Sequence, residues 1–425
     1  MELAEELRTI EVKIERLLPG GVGLAHADGL TLFVSLAAPD DVVRVRIDRV
    51  SGKVAFASVV EIVEPSSVRI EPPCPYFGLC GGCDFQQLNY EAQLKAKVEI
   101  IRDCLHRIAK IEAPLEIPIH ASPKPWQYRA RATWQFDRST SRLGYFIRGS
   151  NDVCEVEYCA VLVPELQRTL EELRNEIPSG QLPKHIDAVA GDEGVSVAVR
   201  NAEVEGNNAP TISRRIGNET YRFSAEGFFQ ANHDLLEQLI QTALGDAGGK
   251  TAIDLYCGVG LFTLPLTRQF ERVIGVEANP LATDFARLNL DQSRSPTVRE
   301  GSNADMHNGL ATAEIVTARV GDWLRQHSTS IGPVDFLLLD PPRTGAENKD
   351  IAGILALRPA QISYVSCDPA TLARDLKKLI AGGYSLDSVT AFDMFPQTHH
   401  VETIALLTLS HSALMRKSND SNRRR

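Results

Sequence analysis

The chain has 425 residues, of which 43% are hydrophobic and 24% charged, so it can form a sizeable core and extensive disorder is excluded. This length predicts two or three domains. With 45 basic and 55 acidic residues, the net charge of -10 argues against a polycation that coats nucleic acid, but it allows a local basic patch. The sequence has neither an apolar run of membrane-spanning length nor the layout of a secretion signal, and therefore predicts a cytoplasmic protein.

Residues 1–67 carry short alternating segments separated by turn residues. Segments 31–35 and 42–47 alternate apolar and polar side chains, and residues 39–41 mark a turn between them. This pattern predicts a small antiparallel β-barrel. Such barrels often bind oligonucleotides, although this one carries more acid than base.

Three of the eight cysteines lie within ten residues of one another. Eight are too few for a disulfide scaffold at this length, so their spacing is better interpreted as metal ligation or catalysis. Cys74, Cys80 and Cys83 form a C-x5-C-x2-C group. With a fourth thiolate, this group suits either zinc or an iron–sulfur cluster, and the spacing does not choose between them.

Residues 68–245 form a second predicted region, of mixed α+β type. Apolar residues at helical spacing over 90–111 predict an amphipathic helix that packs on the following domain. From 124 to 148, strand-like segments interleave basic and aromatic side chains. These side chains are Lys124, Arg129, Arg131, Arg138, Arg142 and Arg148, with Trp126, Tyr128, Trp134, Phe136, Tyr145 and Phe146. The stretch predicts either a sheet that contacts RNA or an ordinary sheet with one solvated face.

From about residue 246 to residue 411, apolar strand candidates alternate with helical segments. This alternation predicts a parallel sheet with helices on both faces, closed by a strand pair over 384–409. The polar tail, residues 412–425, is predicted to be disordered.

A glycine turn follows the first of these strands. Gly258 and Gly260 would let a ligand approach the backbone at the carboxyl edge of the sheet, and Glu277, at the end of the next strand, can accept both hydrogen bonds of a ribose diol. A dinucleotide fingerprint requires glycine at 263, where Thr263 stands. S-adenosylmethionine needs no phosphate cradle and is therefore the predicted cofactor.

Further polar residues follow other strands of this domain. Asp340 and Asp322 are additional candidates for the cofactor site. Cys367 lies near a helix N-terminus, which favours a thiolate, although Asp368 opposes that effect. Glu402 precedes an apolar run that would desolvate it and raise its pKa. A thiolate and a base beside a methyl donor predict methylation of a pyrimidine at carbon-5, with addition of the thiolate to carbon-6.

Five motifs then carry a specific resemblance. They are Phe228-Phe-Gln230-Ala-Asn232, Asp254-Leu-Tyr-Cys-Gly-Val-Gly260, Asp340-Pro-Pro-Arg343, Ser366-Cys367-Asp368-Pro369 and His400-Val-Glu402-Thr403. In this order they resemble the RNA uracil-C5 (5-methyluridine) methyltransferase family, and within it the iron–sulfur-containing type that acts on 23S rRNA. The resemblance covers essentially the whole chain. It implies a class I, Rossmann-like α/β methyltransferase domain, a central mixed domain and an N-terminal barrel of the TRAM type.

The resemblance also implies roles for single residues. Cys367 would be the nucleophile and Glu402 the general base, while Gln230, Tyr256, Glu277, Asp340 and Asp322 would line the S-adenosylmethionine site. Leu261 stands where some members of the family carry asparagine, which leaves one cofactor contact in doubt. Cys159 matches the family's fourth cluster ligand, with Cys154 as a rival, and the family favours a 4Fe–4S cluster over zinc.

The expected partner is RNA, with 23S rRNA first and tRNA as the alternative substrate, and the expected oligomeric state is a monomer. A non-catalytic iron–sulfur protein that binds RNA is the competing hypothesis from another class. That hypothesis predicts damage to the cofactor or nucleophile motif, and both are intact.

Overall fold

The computed structural model describes residues 9–179, 182–199, 209–293 and 312–410. The tail that the sequence predicts to be disordered, 412–425, lies outside these residues. None of the described helices is long and apolar enough to cross a membrane.

The N-terminal part is a six-stranded barrel. Its strands are β1 (Thr9–Lys13), β2 (Arg16–Leu17), β3 (Gly23–Ala27), β4 (Leu30–Ser35), β5 (Val42–Ser51) and β6 (Val54–Glu64), in the order β1-β5-β6-β4-β3-β2. Alternate residues of these strands, such as Leu32 with Val34 and Val43 with Val45, form its core. The barrel is not wholly antiparallel as predicted, because β4 and β6 pair in parallel.

A buried carboxylate fastens the barrel to the chain that leaves it. Asp41 is fully buried and accepts hydrogen bonds from the backbone N–H groups of Ala38, at 2.7 Å, and Ser66, at 3.0 Å. The Arg69 guanidinium donates to the same carboxylate through Nε and Nη2 and to the carbonyl oxygen of Leu36. These bonds join the turn before β5 to the segment that follows β6.

Helix α1 (Tyr90–Cys104) begins at Asn89, whose side chain accepts from the backbone N–H of Ala92. The helix runs into a π-helical turn, Leu105–Ala109, which ends at Lys110 in the left-handed conformation. A short strand, β7 (Ile119–His120), follows.

The central domain is an antiparallel sheet packed on one helix. Its elements are β8 (Arg131–Asp137), β9 (Arg142–Phe146), β10 (Val153–Glu155), α2 (Pro164–Glu176), β11 (His185–Ala190) and β12 (Val195–Val199), with the sheet order β10-β9-β8-β11-β12. A separate hairpin is formed by β13 (Ile212–Ile216) and β14 (Glu219–Phe223).

Three of the six rings in the predicted face of interleaved basic and aromatic side chains are buried and not available to a ligand. Trp134 and Phe136 of β8 are buried in the core of the central domain, and Tyr128 is buried as well. Arg129 and Arg148 turn towards the cysteine segment. Burying these apolar rings is energetically more favourable than leaving them exposed for a ligand. At these three rings the strand pattern therefore indicates a core.

The C-terminal domain is an eight-stranded sheet with helices on both faces. Its strands are β15 (Gly249–Leu255), β16 (Phe270–Glu277), β17 (Thr312–Thr317), β18 (Phe336–Leu339), β19 (Gln361–Ser366), β20 (Tyr384–Phe392) and β21 (Glu402–Leu409). Its helices are α3 (Leu236–Leu244), α4 (Thr263–Leu266), α5 (Pro280–Ser293), α6 (Val320–His327), α7 (Asn348–Leu357) and α8 (Pro369–Ala381). The order is β17-β16-β15-β18-β19-β21-β20-β7, in which the first five strands are parallel and β21 is antiparallel to both of its neighbours. The predicted α/β fold is confirmed.

The segment of α1 and β7 joins this catalytic sheet although it precedes the central domain. β7 pairs in parallel with the end of β20, and α1 with its π-helical turn packs against α8. Cys104, the last residue of α1, is buried in the same hydrophobic core.

We expect Asp41→Asn to lower the free energy of unfolding by about 3 kcal/mol, because Arg69 loses its buried anionic partner. The neighbouring Asp40→Asn is the matched control, since Asp40 lies exposed and forms only a surface ion pair with Lys13. That change should stay within about 0.5 kcal/mol. Denaturant titration followed by circular dichroism measures both, and equal effects would contradict the assigned role of Asp41.

Candidate active site

Four parallel strands of the large sheet end at the same edge, and each presents a predicted site residue there. In the observed registers β15 ends beside β16 and β18, and β18 ends beside β19. The residues at or next to these four ends are Tyr256, Glu277, Asp340 and Cys367. Side chains far apart in sequence therefore meet at the edge where open α/β sheets bind ligands.

Glu402 reaches this edge from an antiparallel strand. In the pairing of β19 with β21 the last pair is Ser366 with Thr403, and Cys367 and Glu402 are the residues next to it. The charge of Glu402 acts on the Cys367 thiol, which places the two side chains near each other. On its other side Glu402 pairs with Phe392 of β20. Two neighbouring strands thus fix the backbone of Glu402 beside the cysteine.

Burial and nearby charges set the protonation of these two groups. The pKa of the Cys367 thiol is raised to about 12, first by burial and then by the charges of Glu402 and Asp340, whereas Arg343 opposes the rise. Burial and these acidic neighbours favour the protonated thiol, whereas a helix N-terminus favours the thiolate. Glu402 is 2% exposed, and burial raises its pKa well above the usual value, as predicted.

Two more buried acids stand behind them. Burial raises the pKa of Asp340 to about 7. Asp254, at the end of β15, is fully buried; burial is also the first cause that raises its pKa to about 7, with Asp340 and Glu277 adding to the rise. The Thr263 hydroxyl donates to Asp254 at 2.5 Å. Thr263, the residue that argued against a dinucleotide-binding fingerprint, therefore stabilises a carboxylate of the site through a hydrogen bond.

Glu277 and the glycine turn form one unit. One oxygen of the Glu277 carboxylate accepts from the backbone N–H of Gly258 at 3.2 Å, and the other accepts from that of Asn279 at 2.7 Å. Tyr256 begins the turn at a φ of 63°, and its hydroxyl donates to Asp350 of α7 at 2.6 Å. The hydrogen bonds hold the turn open in the shape that the glycines permit.

The remaining predicted residues occupy different settings. Gln230 is buried in the segment after β14, where Phe229 stacks on Phe223 with ring centroids 4.0 Å apart. Asp322 lies in the first turn of α6, and its carboxylate accepts from Arg325 at 3.1 Å. Its partly exposed ion pair lies after β17, at the outer side of the same sheet edge.

Sequence reasoning missed three polar side chains of the site. These are Asp254, Asp350 and Arg343, of which the first and last belong to the quoted motifs. Arg343 contacts the Nε2 atom of His400 at 3.4 Å. Burial, followed by the charges of His399 and Arg343, lowers the pKa of His400 to about 3, so the ring is neutral and can accept this bond. The sequence offered one signal for Arg343, its place in the motif Asp340-Pro-Pro-Arg343, and it offered no signal for Asp350.

The four predicted cluster cysteines line one cavity of about 70 Å³. Cys74, Cys80, Cys83 and Cys159 all contribute to its wall, while the rival Cys154 is buried in β10 and does not. Within the described ranges, no three His, Cys, Asp or Glu side chains are grouped so as to hold a single metal ion. Four soft thiols around one cavity nevertheless match the donor set of a multi-iron cluster.

Charged and aromatic groups complete the cysteine cavity. Arg129 lines it together with Tyr76, Phe77 and Tyr145. Arg148 donates to the carbonyl oxygen of Cys83, which ties the cysteine segment to the β9–β10 hairpin. A buried guanidinium beside four thiolates would balance part of their negative charge.

Comparison with known proteins gives first the class: the chain is an RNA methyltransferase with a Rossmann-like catalytic domain. It belongs to the family described as tRNA (Uracil-5-)-methyltransferase, which it matches over residues 153–410. Residues 4–60 match the TRAM domain. The resemblance inferred from the five motifs is thereby confirmed.

Similar proteins extend over nearly the whole chain. An uncharacterized RNA methyltransferase of Thermosynechococcus vestitus is 32% identical, over 96% of this chain and 100% of its own length. The 23S rRNA (uracil(1939)-C(5))-methyltransferase RlmD of Shewanella halifaxensis is 31% identical, over 95% and 96%. The Pyrococcus abyssi tRNA (uracil-54, C5)-methyltransferase, solved with S-adenosyl-L-homocysteine, shares the fold with a TM-score of 0.71 at 23% identity, covering 94% of this chain and all of its own.

Alkylation of Cys367 should respond in opposite directions to its two charged neighbours. Arg343→Met should slow alkylation roughly threefold, because it removes the charge that lowers the thiol pKa, and Glu402→Gln should speed it at the alkaline end of a pH 8–10 series. Iodoacetamide labelling followed by peptide mass spectrometry isolates Cys367 from the other cysteines. Arg325→Met, on the surface of α6, is the control, and a shift of Cys367 reactivity there would contradict this electrostatic account.

Proposed function

We propose that this protein methylates carbon-5 of a uracil in RNA, with S-adenosylmethionine as the methyl donor and 23S rRNA as the first candidate substrate. The observation that carries this proposal is the closeness of Cys367 and Glu402 at the carboxyl edge of the sheet, where they flank the pair Ser366 with Thr403 and the charge of Glu402 acts on the thiol. Methyl transfer to a nitrogen or an oxygen atom would need no thiol nucleophile. It would also need no base that removes a proton from carbon.

The reaction balances with these two residues. The Cys367 thiolate forms a bond to uracil C6, and the electron pair of the C5–C6 double bond moves into an enolate. C5 attacks the electrophilic methyl group of S-adenosylmethionine, the bond between that methyl group and sulfur breaks, and S-adenosylhomocysteine leaves with its electron pair. Glu402 then takes the C5 proton, the C5–C6 double bond re-forms, and the C6–sulfur bond breaks to return the thiolate.

The environment of Glu402 suits this role. A carboxylate in water is a poor base for a carbon-bound proton, and desolvation raises its proton affinity. Glu402 Oε1 has no hydrogen-bond partner among the described residues, so this oxygen is free to accept the proton. The charge of Arg343 acts on both Cys367 and Glu402 and favours an anionic substrate group near them.

The cofactor is held along the first strands of the sheet. Glu277 binds the ribose hydroxyls, the backbone of the turn from Tyr256 to Gly260 lies against the donor, and Asp322 lies towards the adenine end. Gln230 and Asp340 approach from the side of Cys367. One chain carries all of these groups, which supports a monomeric enzyme.

The cysteine cavity holds a 4Fe–4S cluster through Cys74, Cys80, Cys83 and Cys159. The wall shared by these four thiols and the position of Arg129 beside them support this assignment. The proposed methyl transfer moves no electron between protein and substrate. The cluster therefore has a structural role or contacts RNA.

The mechanism is tested with RNA that contains 5-fluorouridine. This nucleoside carries fluorine in place of hydrogen at C5, so no proton can be removed there and the covalent complex is not resolved. Protein and donor should form a covalent complex with a 23S rRNA fragment, and a tRNA transcript run in parallel distinguishes the two substrates. Cys367→Ala should form none. Glu402→Gln should also form the complex with 5-fluorouridine RNA. With RNA that contains ordinary uridine, this variant should release the methylated product about 100-fold more slowly than the wild-type protein. Normal turnover by Cys367→Ala would refute the mechanism.

The cluster assignment has a matched pair of variants. Anaerobically purified protein should contain iron and sulfide, and Cys159→Ala should lose most of both, because it removes one of four thiolate ligands. Cys154→Ala removes a thiol from the same domain without touching the cavity and should keep them. Zinc in place of iron and sulfide, or equal loss in both variants, would contradict the assignment.

A further inference from the structure

The segment between β20 and β21, residues 393–401, leads directly into Glu402 and has no regular secondary structure. Its backbone is held by groups from elsewhere in the chain. Three successive carbonyl oxygens accept hydrogen bonds from these groups. The oxygen of Phe395 accepts from the Lys97 ammonium, and that of Pro396 accepts from the Tyr128 hydroxyl. The oxygen of Gln397 accepts from the backbone N–H groups of Asp84 and Phe85. The position of the base strand therefore depends on residues that precede the methyltransferase domain.

One of these supports is a buried ion pair. The Lys97 ammonium of α1 is fully buried and contacts Asp393, the first residue after β20, which is fully buried as well. The same ammonium donates to the carbonyl oxygen of Phe395 at 3.0 Å. Asp393 in turn donates its backbone N–H to His120 of β7 at 2.9 Å. A buried pair of this kind adds little net stability but strongly specifies one arrangement.

The second support is a reciprocal pair of amides. Gln93, one turn before Lys97 on the same buried face of α1, donates to the side-chain oxygen of Gln397 at 3.0 Å. It accepts from the backbone N–H of Gln397 at 2.9 Å. Gln397 has a φ of 68°, a conformation that non-glycine residues adopt only when their surroundings hold them. Gln93 is a principal part of those surroundings.

The geometry indicates a purpose for these contacts. Glu402 begins β21 and is fixed by its pairing with Phe392 on one side and by its register with β19 on the other. Both ends of the intervening segment are therefore tied to strands at the active site, and α1 decides how the segment runs between them. A change in that path would loosen the terminal pair of β20 with β21, Phe392 with Glu402, and so disturb the Glu402 side chain, while Cys367, at the end of β19, stays in place.

Building on the proposed function, we propose that Lys97 and Gln93 of α1 are positioning residues for the general base Glu402. They act through Asp393 and Gln397 and touch neither RNA nor donor. Their loss should impair the step in which the C5 proton is removed and spare the earlier addition of Cys367 and methyl transfer.

Two reactions separate these steps. Formation of the covalent complex with 5-fluorouridine RNA needs the thiol and the donor but no proton removal, whereas turnover on uridine RNA needs the base. Gln93→Ala should lower the turnover rate roughly tenfold and change the rate of complex formation by less than about twofold. Lys97→Met should show the same pattern with a larger loss of turnover, but it strands a buried Asp393 and can fail to fold, so the neutral Gln93 variant decides the question.

Lys95→Met is the matched control on α1, because Lys95 is exposed and forms only a surface ion pair with Glu99. It should leave both rates unchanged. Thermal melting and the KM for RNA are measured for each variant. Parallel losses in both reactions, or no loss in either, for folded Gln93→Ala would overturn the proposal. If the wild-type protein forms no Cys367-dependent complex, the proposed function fails instead, which distinguishes the two.

Discussion

The antiparallel insertion of β21 beside β19 is the constraint on which the site depends. A parallel strand at this position would deliver its carboxyl end to the edge where Cys367 lies, so it would bring its last residue rather than its first. Antiparallel pairing brings the first residue, Glu402, next to the last pair of the two strands, Ser366 with Thr403, and so near the cysteine. The backbone pairing of β19 with β21 thus brings a thiol and a buried acid to the same edge of the sheet.

Burial then gives both groups their chemistry. The same low-dielectric surroundings raise the pKa of Cys367 and of Glu402. For a base this is an advantage, since a stronger proton acceptor results. For a nucleophile it is a cost, because the thiol of the isolated protein stays protonated. Arg343 is the nearby charge that opposes the rise in both groups, and its place beside His400 keeps it at the site.

The chain assembles this site from distant segments. Gly21 in the barrel lies against His399 and Phe85, so that a side chain there would meet both. Asp84, next to Cys83, accepts from the backbone N–H of His399 at 2.7 Å. The barrel and the cysteine segment thus both contact the residues that precede Glu402. The TRAM-type barrel, the cysteine segment and the methyltransferase domain therefore meet at one short segment.

The sequence by itself predicted the alternation of strands and helices, the glycine turn, the acids after the strands, and Cys367 and Glu402 as candidates for nucleophile and base, because motifs and periodicity are local. It missed β17, whose residues include few aliphatic side chains. It left open whether the sheet with Trp134 and Phe136 contacts RNA or is an ordinary sheet with one solvated face, since alternation alone does not say which face is covered. Only the tertiary structure decided that α1 joins the catalytic sheet, that Cys159 rather than Cys154 reaches the cavity, and that Lys97 pairs with Asp393. Those contacts join residues far apart along the chain, and their geometry is fixed by packing rather than by any local pattern.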